Sequence, residues 1–369
     1  MKFKANSKSL EKLLAKVIPA IPTRTPMAII ENFLFEIEEG KLTVTATDLE
    51  ITLRSSISVD ADKNLKMVVP AKLTYDIVKS LGDTLIHFET DTNQKLKLKT
   101  DNGVYSIGFA EADEYPKIPE MGKINIVNLE GGILKKALDQ TSFAISKEAM
   151  RPAMMGTFFE FSKDGLKFVT TDGHRLVKYL TKKCKIKSSE QCIVPERAIS
   201  VLSKLVGDTE VKLFVGDSNI AFVMDDLELI SRLIAQKYPD YNSVIPIENE
   251  NLLKIKKGEV HSSIKRMLLF STSNYQQVKL SIKENSIEIS AEDIDHGSSA
   301  KENLTCEYVG DPMDIGFNTS YLNDILVHLD EGEIVFKLHS PTKACVIEPS
   351  AIKEDEELML LLMPVRLNT

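Results

Sequence analysis

The feature that most narrows what this 369-residue chain can become is an internal repeat. Its period is roughly 120 residues, much longer than a solenoid unit and about the size of a domain. Three landmarks carry it. An aspartate closes an alternating apolar and polar run at Asp48, Asp172 and Asp293. A short pair precedes a helical pattern at Val69-Pro70, Val194-Pro195 and Phe317-Asn318, and Tyr115-Pro116 returns as Tyr238-Pro239. We read three domains of similar fold, placed at 1–121, 122–249 and 250–369.

Each period is halved again into a helix followed by strands. The first helix presents apolar residues at helical spacing as Leu10, Leu13, Leu14 and Val17, then Leu134, Ala137, Leu138 and Thr141, then Val260, Ile264, Met267 and Leu268. The second repeats the pattern as Leu73, Ile77 and Leu81, then Ala198, Val201, Leu202 and Leu205, then Leu322, Ile325, Leu326 and Leu329. One apolar stripe per helix means that each lies on a sheet with its other face open. Between helices the residues alternate, as in Phe33-Leu-Phe-Glu-Ile-Glu and Val278-Lys-Leu-Ser-Ile-Lys, with Glu39-Gly40, Asp164-Gly165 and Glu284-Asn285 supplying turns. That is the pattern of half-buried antiparallel sheet. The expected class is α+β: two helices packed on antiparallel sheets, internally duplicated within each domain.

The formal net charge is −8, but the distribution of charge decides what a surface can touch. The helical windows sum to a positive charge, and the remaining sequence is strongly acidic. Lys8, Lys12, Lys16, Lys72, Lys79, Lys135, Lys136, Arg197, Lys204, Lys265 and Arg266 all stand on helices whose apolar side is committed to a sheet. A diffuse basic layer without interleaved aromatics suits loose phosphate contact rather than base reading or single-strand stacking. Such contact is weak and salt-sensitive, so it holds DNA only where topology prevents escape. Lysines kept for solubility are the other explanation of the same pattern.

Several classes are excluded. No apolar run reaches membrane-spanning length, so no membrane partner is expected. Met1-Lys-Phe-Lys leads directly into a polar, helix-like stretch, from which a cytoplasmic location is expected. Cys184, Cys192, Cys306 and Cys345 are too widely spaced for a metal or redox pair and read as reduced structural thiols. No P-loop, HExxH or GxGxxG occurs. Asp48, Asp172 and Asp293 belong to separate domains and cannot share a site, and His174 has no nucleophile in a recognisable motif. Neither catalysis, metal nor cofactor is expected.

The segment from Leu166 to Leu180 differs from its counterparts. Asp172-Gly173 reads as a tight turn in which both residues accept positive φ, and only this copy continues with His174-Arg175. Thr171-Asp172-Gly173-His174-Arg175-Leu176, Val194-Pro195, Tyr238-Pro239-Asp240-Tyr241 with Ile245-Pro246, and the closing Met363-Pro364-Val365-Arg366-Leu367 together resemble the bacterial DNA sliding clamp family. Its members are β subunits of the replicative DNA polymerase, and the likeness runs from end to end.

The resemblance implies a head-to-tail homodimer that closes a ring of six domains, helices lining the hole and sheets outside. A clamp loader would open and close it around double-stranded DNA. The ring would tether the catalytic subunit of the replicative polymerase, and other polymerases and repair proteins that carry a clamp-binding peptide. The pocket for that peptide would comprise Met154, Thr171, Gly173, His174, Arg175, Leu176, Pro239, Val244, Met363, Pro364, Val365, Arg366 and Leu367, with Asn318 and Tyr321 at its side. DNA contact would involve Arg24 as well as Lys12, Lys16, Lys72, Lys79, Lys135, Lys136, Arg197 and Lys204. At the dimer seam, Tyr105 and Ile107 of one copy would meet Leu269 and Phe270 of the other.

This chain departs from the family at several positions. Asn242 and Ser243 stand where basic residues are frequent, Met154 where leucine is common, and Glu148 where a neutral amide is expected, with Lys147 beside it as a compensating charge. Asn368 and Thr369 extend past the usual end. The competing function is a non-enzymatic adaptor of repeated domains that binds proteins without encircling DNA.

Overall fold

The structure is a computed structural model and describes residues 1–119, 121, 125–184, 189–271, 276–351 and 353–367. Gly122, where the first domain boundary is expected, and Asn368 and Thr369 lie outside the described residues. Each repeat supplies two helices: α1 (Ser7–Val17) and α2 (Ala71–Ser80), α3 (Gly131–Thr141) and α4 (Glu196–Leu205), α5 (Lys257–Met267) and α6 (Thr319–His328). No helix among the described residues is long and apolar enough to cross a membrane.

Two compact units hold these elements. One is Met1–Gly132 with Ser200–Leu233, and the other is Ile133–Ile199 with Ile234–Thr369. In the first, an eight-stranded antiparallel sheet runs across two repeats: Asn125–Glu130, Glu210–Val215, Asn219–Met224 and Leu227–Arg232 continue into Ile51–Ser58, Lys41–Thr47, Asn32–Glu38 and Leu65–Pro70. The join is the pairing that sets Leu229 opposite Leu53. In the second unit a nine-stranded sheet does the same, joined where Val177 faces Leu360. Smaller sheets of five strands in the first unit and four in the second complete the two. Repeats and sheets therefore end at different places. An edge strand exposes unpaired N–H and C=O groups, and pairing it with the next repeat's edge satisfies them.

Local chemistry accounts for the hairpins. Glu39 and Gly40, with φ of 48° and 76°, connect Asn32–Glu38 to Lys41–Thr47 as a two-residue turn, the left-handed pair that matches strand twist. Asn6 starts α1 by accepting from the amides of Lys8 and Ser9, which satisfies donors that a helix start leaves orphaned.

The apolar stripes of α1, α3 and α6 are buried as expected. Three details differ from expectation. The chain opens with a strand, Lys2–Asn6, ahead of α1. Leu268 follows α5 in a 3-10 turn and is half-buried. In α2 the buried face is Ala71, Thr74 and Val78, while Leu73 is 49% exposed. There the strand Leu65–Pro70 passes directly into the helix at Pro70. This junction sets the helix phase and turns the small residues inward, where they allow close approach to the sheet.

Gly165 has φ of +140°, and a Cβ there would lie 2.2 Å from the Thr181 carbonyl oxygen. Gly207 has open space around it. Gly165→Ala should therefore cost about 1–3 kcal/mol of stability, the scale of a forced backbone conformation. Gly207→Ala should leave stability close to wild type. Urea unfolding measures both, and a wild-type midpoint for Gly165→Ala would refute this account of the turn.

Candidate functional site

The loop after Thr171 is built twice in the chain. In the first repeat Thr47 Oγ1 donates to the Ile51 carbonyl (2.8 Å) and accepts from the Leu49 amide (3.1 Å). Asp48 Oδ1 accepts from the amides of Glu50 and Ile51. In the central repeat Thr171 Oγ1 donates to the Arg175 carbonyl (2.7 Å) and accepts from the Gly173 amide (3.1 Å). Asp172 Oδ1 accepts from His174 and Arg175. Only Gly173, at φ 90°, takes the left-handed conformation, as Leu49 does at φ 75°. The expected two-residue Asp-Gly turn is thus corrected. Thr171 pairs with Leu176 across a four-residue loop, and the aspartate serves as an amide cap. The third copy is built differently: Asp293 bonds the His296 amide and Gly297 carries the positive φ.

One substitution separates the two matching loops. Where the first repeat has the buried Ile51, the central repeat carries Arg175, only 8% exposed. Its Nε donates to Asp172 Oδ2 (3.0 Å), Nη1 to Asp324 Oδ2 (2.7 Å) and Nη2 to the Phe143 carbonyl (3.0 Å). The guanidinium lies over the rings of Phe143 and Tyr321, 5.2 and 4.6 Å from their centroids. A buried cation is tolerated only when its donors are satisfied, and a planar fork with two flat neighbours does this where an ammonium does not. Burial, and after it the Asp172 charge, pushes the Tyr321 phenol above its ordinary pKa. Asp324 and Phe143 were not singled out from sequence. The available signal was that Asp324 is the only charged residue on a helix without lysine or arginine.

The C-terminal tail closes over this loop. The Met363 amide donates to the His174 carbonyl (2.9 Å), and the Val365 amide to the Gly316 carbonyl (2.9 Å). The tail crosses close to Gly316, where a Cβ would stand 3.0 Å from the Val365 carbonyl oxygen and 2.8 Å from the tip of the Leu367 side chain. The His174 ring lies 5.8 Å from that of Tyr321. Asn318 Oδ1 caps α6 through the Tyr321 amide (3.0 Å). Pro364 is half-buried and Arg366 exposed.

On the other side of the loop Leu176 sits in a core with Phe158, Val169, Tyr238, Met359 and Leu361. Pro239 and Met154 are half-buried above it, while Val244 and Met363 are 53% and 40% exposed. The arrangement offers exposed apolar side chains beside fixed polar groups, which suits an extended peptide. Leu176 belongs to the floor and does not face solvent. Arg151, missed from sequence, reaches the Asp172 carbonyl and lies 2.6 Å from where a Gly173 Cβ would be. It also pairs with Glu148 (3.4 Å), one of the departing residues. The Ser243 hydroxyl is turned back onto the Asp240 carbonyl.

The helix cations fall into two groups. Lys12, Lys72, Lys79, Lys135 and Lys204 are exposed and have no carboxylate partner among the described residues. Arg24 and Arg197 are exposed as well. Lys8, Lys16, Lys136 and Arg266 are committed within the chain, to Glu11 (2.9 Å), to Asp226 (2.6 Å), to Glu356 with Asp330, and to Glu302 (2.6 Å). Lys147, expected to offset Glu148, instead pairs with Glu196. Strand lysines commonly face a carboxylate on the next strand, as in Lys66 with Glu36, Lys254 with Glu333 and Lys301 with Glu288.

Of the seam residues, Tyr105 is exposed on the edge strand Gly103–Gly108 and Leu269 is 81% exposed, while Phe270 is half-buried. Ile107 is buried in its own unit, and Val104 on the same strand is exposed. The cysteines are unpaired, and burial raises the Cys184 and Cys192 thiols to about 11 and about 12.

Three alike modules of two helices on antiparallel strands, their sheets merged edge to edge, define a DNA-clamp fold. The chain belongs to the DNA polymerase III beta subunit family. The N-terminal, central and C-terminal domain models of that family match residues 1–119, 128–240 and 242–366. It is similar to the beta sliding clamps of Vibrio cholerae (26% identical) and Pseudomonas aeruginosa (28% identical), with all of the chain covered in each case and all of each relative. Among solved structures, the DNA polymerase III subunit beta of Pseudomonas aeruginosa matches over the whole of both chains with a TM-score of 0.94 at 28% identity. The sliding clamp of Bartonella birtlesii, bound to griselimycin, matches over the whole of both with a TM-score of 0.92 at 29% identity.

Arg175→Lys should lower stability by about 1–3 kcal/mol, because it removes charge-assisted bonds to Phe143 and to one or both aspartates. Urea unfolding reads the change. A variant as stable as wild type would mean that the fork does not anchor the loop.

Proposed function

We propose that this chain is a DNA sliding clamp. Two copies form a ring of six domains around duplex DNA, and the ring tethers the replicative polymerase and other DNA-processing proteins through the groove beside the tail, with no chemistry of its own. The domains of this reading are 1–121, 122–249 and 250–369. A clamp loader would open the ring, the seam would join the Tyr105 edge to the Leu269 turn, and the protein would work in the cytoplasm.

The observation that carries the reading is the contrast in charge pairing. Lysines on strands are largely neutralised by neighbouring carboxylates, whereas Lys12, Lys72, Lys79, Lys135 and Lys204 stand exposed without carboxylate partners among the described residues. Cations kept for solubility would not need to be sorted in this way. Unpaired charges on helix faces are what a loose, sequence-independent phosphate contact requires. An adaptor that never meets DNA has no use for them.

Two outcomes are expected. With a clamp loader and ATP at physiological salt, the protein should stay on nicked circular duplex and run off linear duplex of the same length. Replacing the five lysines by glutamate should shorten retention on the circle. Equal loss from both DNAs would refute topological binding. Deleting Met363–Thr369 should abolish binding of a peptide from the polymerase catalytic subunit, while light scattering still reports a dimer. Unchanged peptide affinity would move the groove elsewhere.

A further inference from the structure

The nine-stranded sheet of the second unit splits partway along its length. Strands Cys345–Pro349 and Glu356–Leu362 are paired only from Cys345 opposite Leu362 to Ile347 opposite Leu360. Beyond that point the first stays with Glu333–Leu338 as far as Pro349, and the second stays with Arg175–Thr181 as far as Glu356. The divergence opens a concavity of about 650 Å³, within the range of ligand sites. None of the residues assigned to the tail groove lines it.

The cleft makes three separate demands of an occupant. The segment Glu356–Met359 has strand partners on one side only, so its other backbone edge is open. The walls are apolar: Ile247, Leu252, Val346, Pro349, Leu358 and Met359. Ile247 is 97% exposed and Leu252 40%, a patch that water does not favour. The rim charges are paired off, Lys337 with Glu348, Lys353 with Asp330, Lys136 with Glu356 and Glu357 with Lys182. Lys178 alone among the lining cations makes no direct ion pair among the described residues, its electrostatic partner being Glu160, which is itself paired with Lys167.

We propose that this cleft is a second docking site, taking an extended peptide segment of a partner protein that presents branched apolar residues and an acidic residue on one face. The segment adds to the open edge of Glu356–Met359 as a strand, its apolar side chains enter between Leu252 and Met359, and a carboxylate two positions along, on the same face, meets Lys178, which stands opposite Met359. A shared backbone edge supplies affinity, and the charge and the apolar wall supply selectivity. The connector Ile245-Pro246-Ile247 forms one wall of the cleft and follows directly on Val244 of the tail groove. The inference stands on the cleft and does not require that the protein encircle DNA.

The test uses the full chain and fluorescence anisotropy with two probes that carry their charge on the same face as their isoleucines, fluorescein-Ile-Ser-Asp-Ser-Ile-amide and fluorescein-Ile-Ser-Lys-Ser-Ile-amide. The acidic probe should bind about tenfold more tightly than the basic one, the scale on which charge complementarity discriminates. Lys178→Glu should reverse that order, and Ile247→Ser, at a fully exposed position, should weaken both probes. Deleting Met363–Thr369 should leave acidic-probe binding unchanged. No binding up to millimolar protein, equal affinity for the two probes, or loss of binding on tail deletion would each overturn the proposal. Should Lys178→Glu lower the thermal midpoint, Ile247→Ser and the tail deletion still decide.

Discussion

Every sheet that does not close on itself must dispose of its edges, and this chain disposes of them by joining repeats. A strand edge is a row of donors and acceptors that would otherwise recruit another chain. The first and central repeats meet at Leu53 opposite Leu229, and the central and third at Val177 opposite Leu360. The units defined by compactness therefore cut through the central repeat, four of its strands lying in each large sheet. Gly103–Gly108 is the outer strand of its sheet, and Val104 and Tyr105 are exposed on it.

The same joining sets up the site. Glu356–Leu362 must run beside Arg175–Thr181, and this brings Met363 onto the His174 carbonyl and the tail across Gly316. The loop that receives it is a copied structure. Thr47-Asp48 and Thr171-Asp172 make the same bonds, and the difference lies at the residue that closes each loop, Ile51 in one and Arg175 in the other. An isoleucine anchors its loop by burying apolar surface. An arginine with three acceptors and two ring faces anchors it too, and ties it to α6 as well. Removing one acceptor from such a cation leaves a buried charge short of a partner, so the whole cluster acts as one piece.

Charge follows a similar division. Facing strands place side chains opposite one another about 5 Å apart, which lets a lysine on one meet a carboxylate on the next. The outward face of a helix lying on a sheet has no such regular row of neighbours, so some of its cations, Lys12, Lys72, Lys79, Lys135 and Lys204 among them, keep no carboxylate partner among the described residues. An acidic protein can in this way present basic surfaces without a large net charge.

Sequence alone determined the repeat, the helix count, the strand alternation and the segments Thr171–Leu176 and Met363–Leu367, because periodicity and turn chemistry are local and act within one element. It did not show that Leu73 faces solvent, that Ile107 is buried, that Lys136 is bound to Glu356, or that Arg151 fills the space over Gly173. Each of these depends on the phase at which an element enters the fold and on a neighbour distant in sequence. Nor could it show where Cys345–Pro349 and Glu356–Leu362 part. Both read as continuous strands, and only the competing claims of Glu333–Leu338 and Arg175–Thr181, pulling them toward different partners, open the cleft between them.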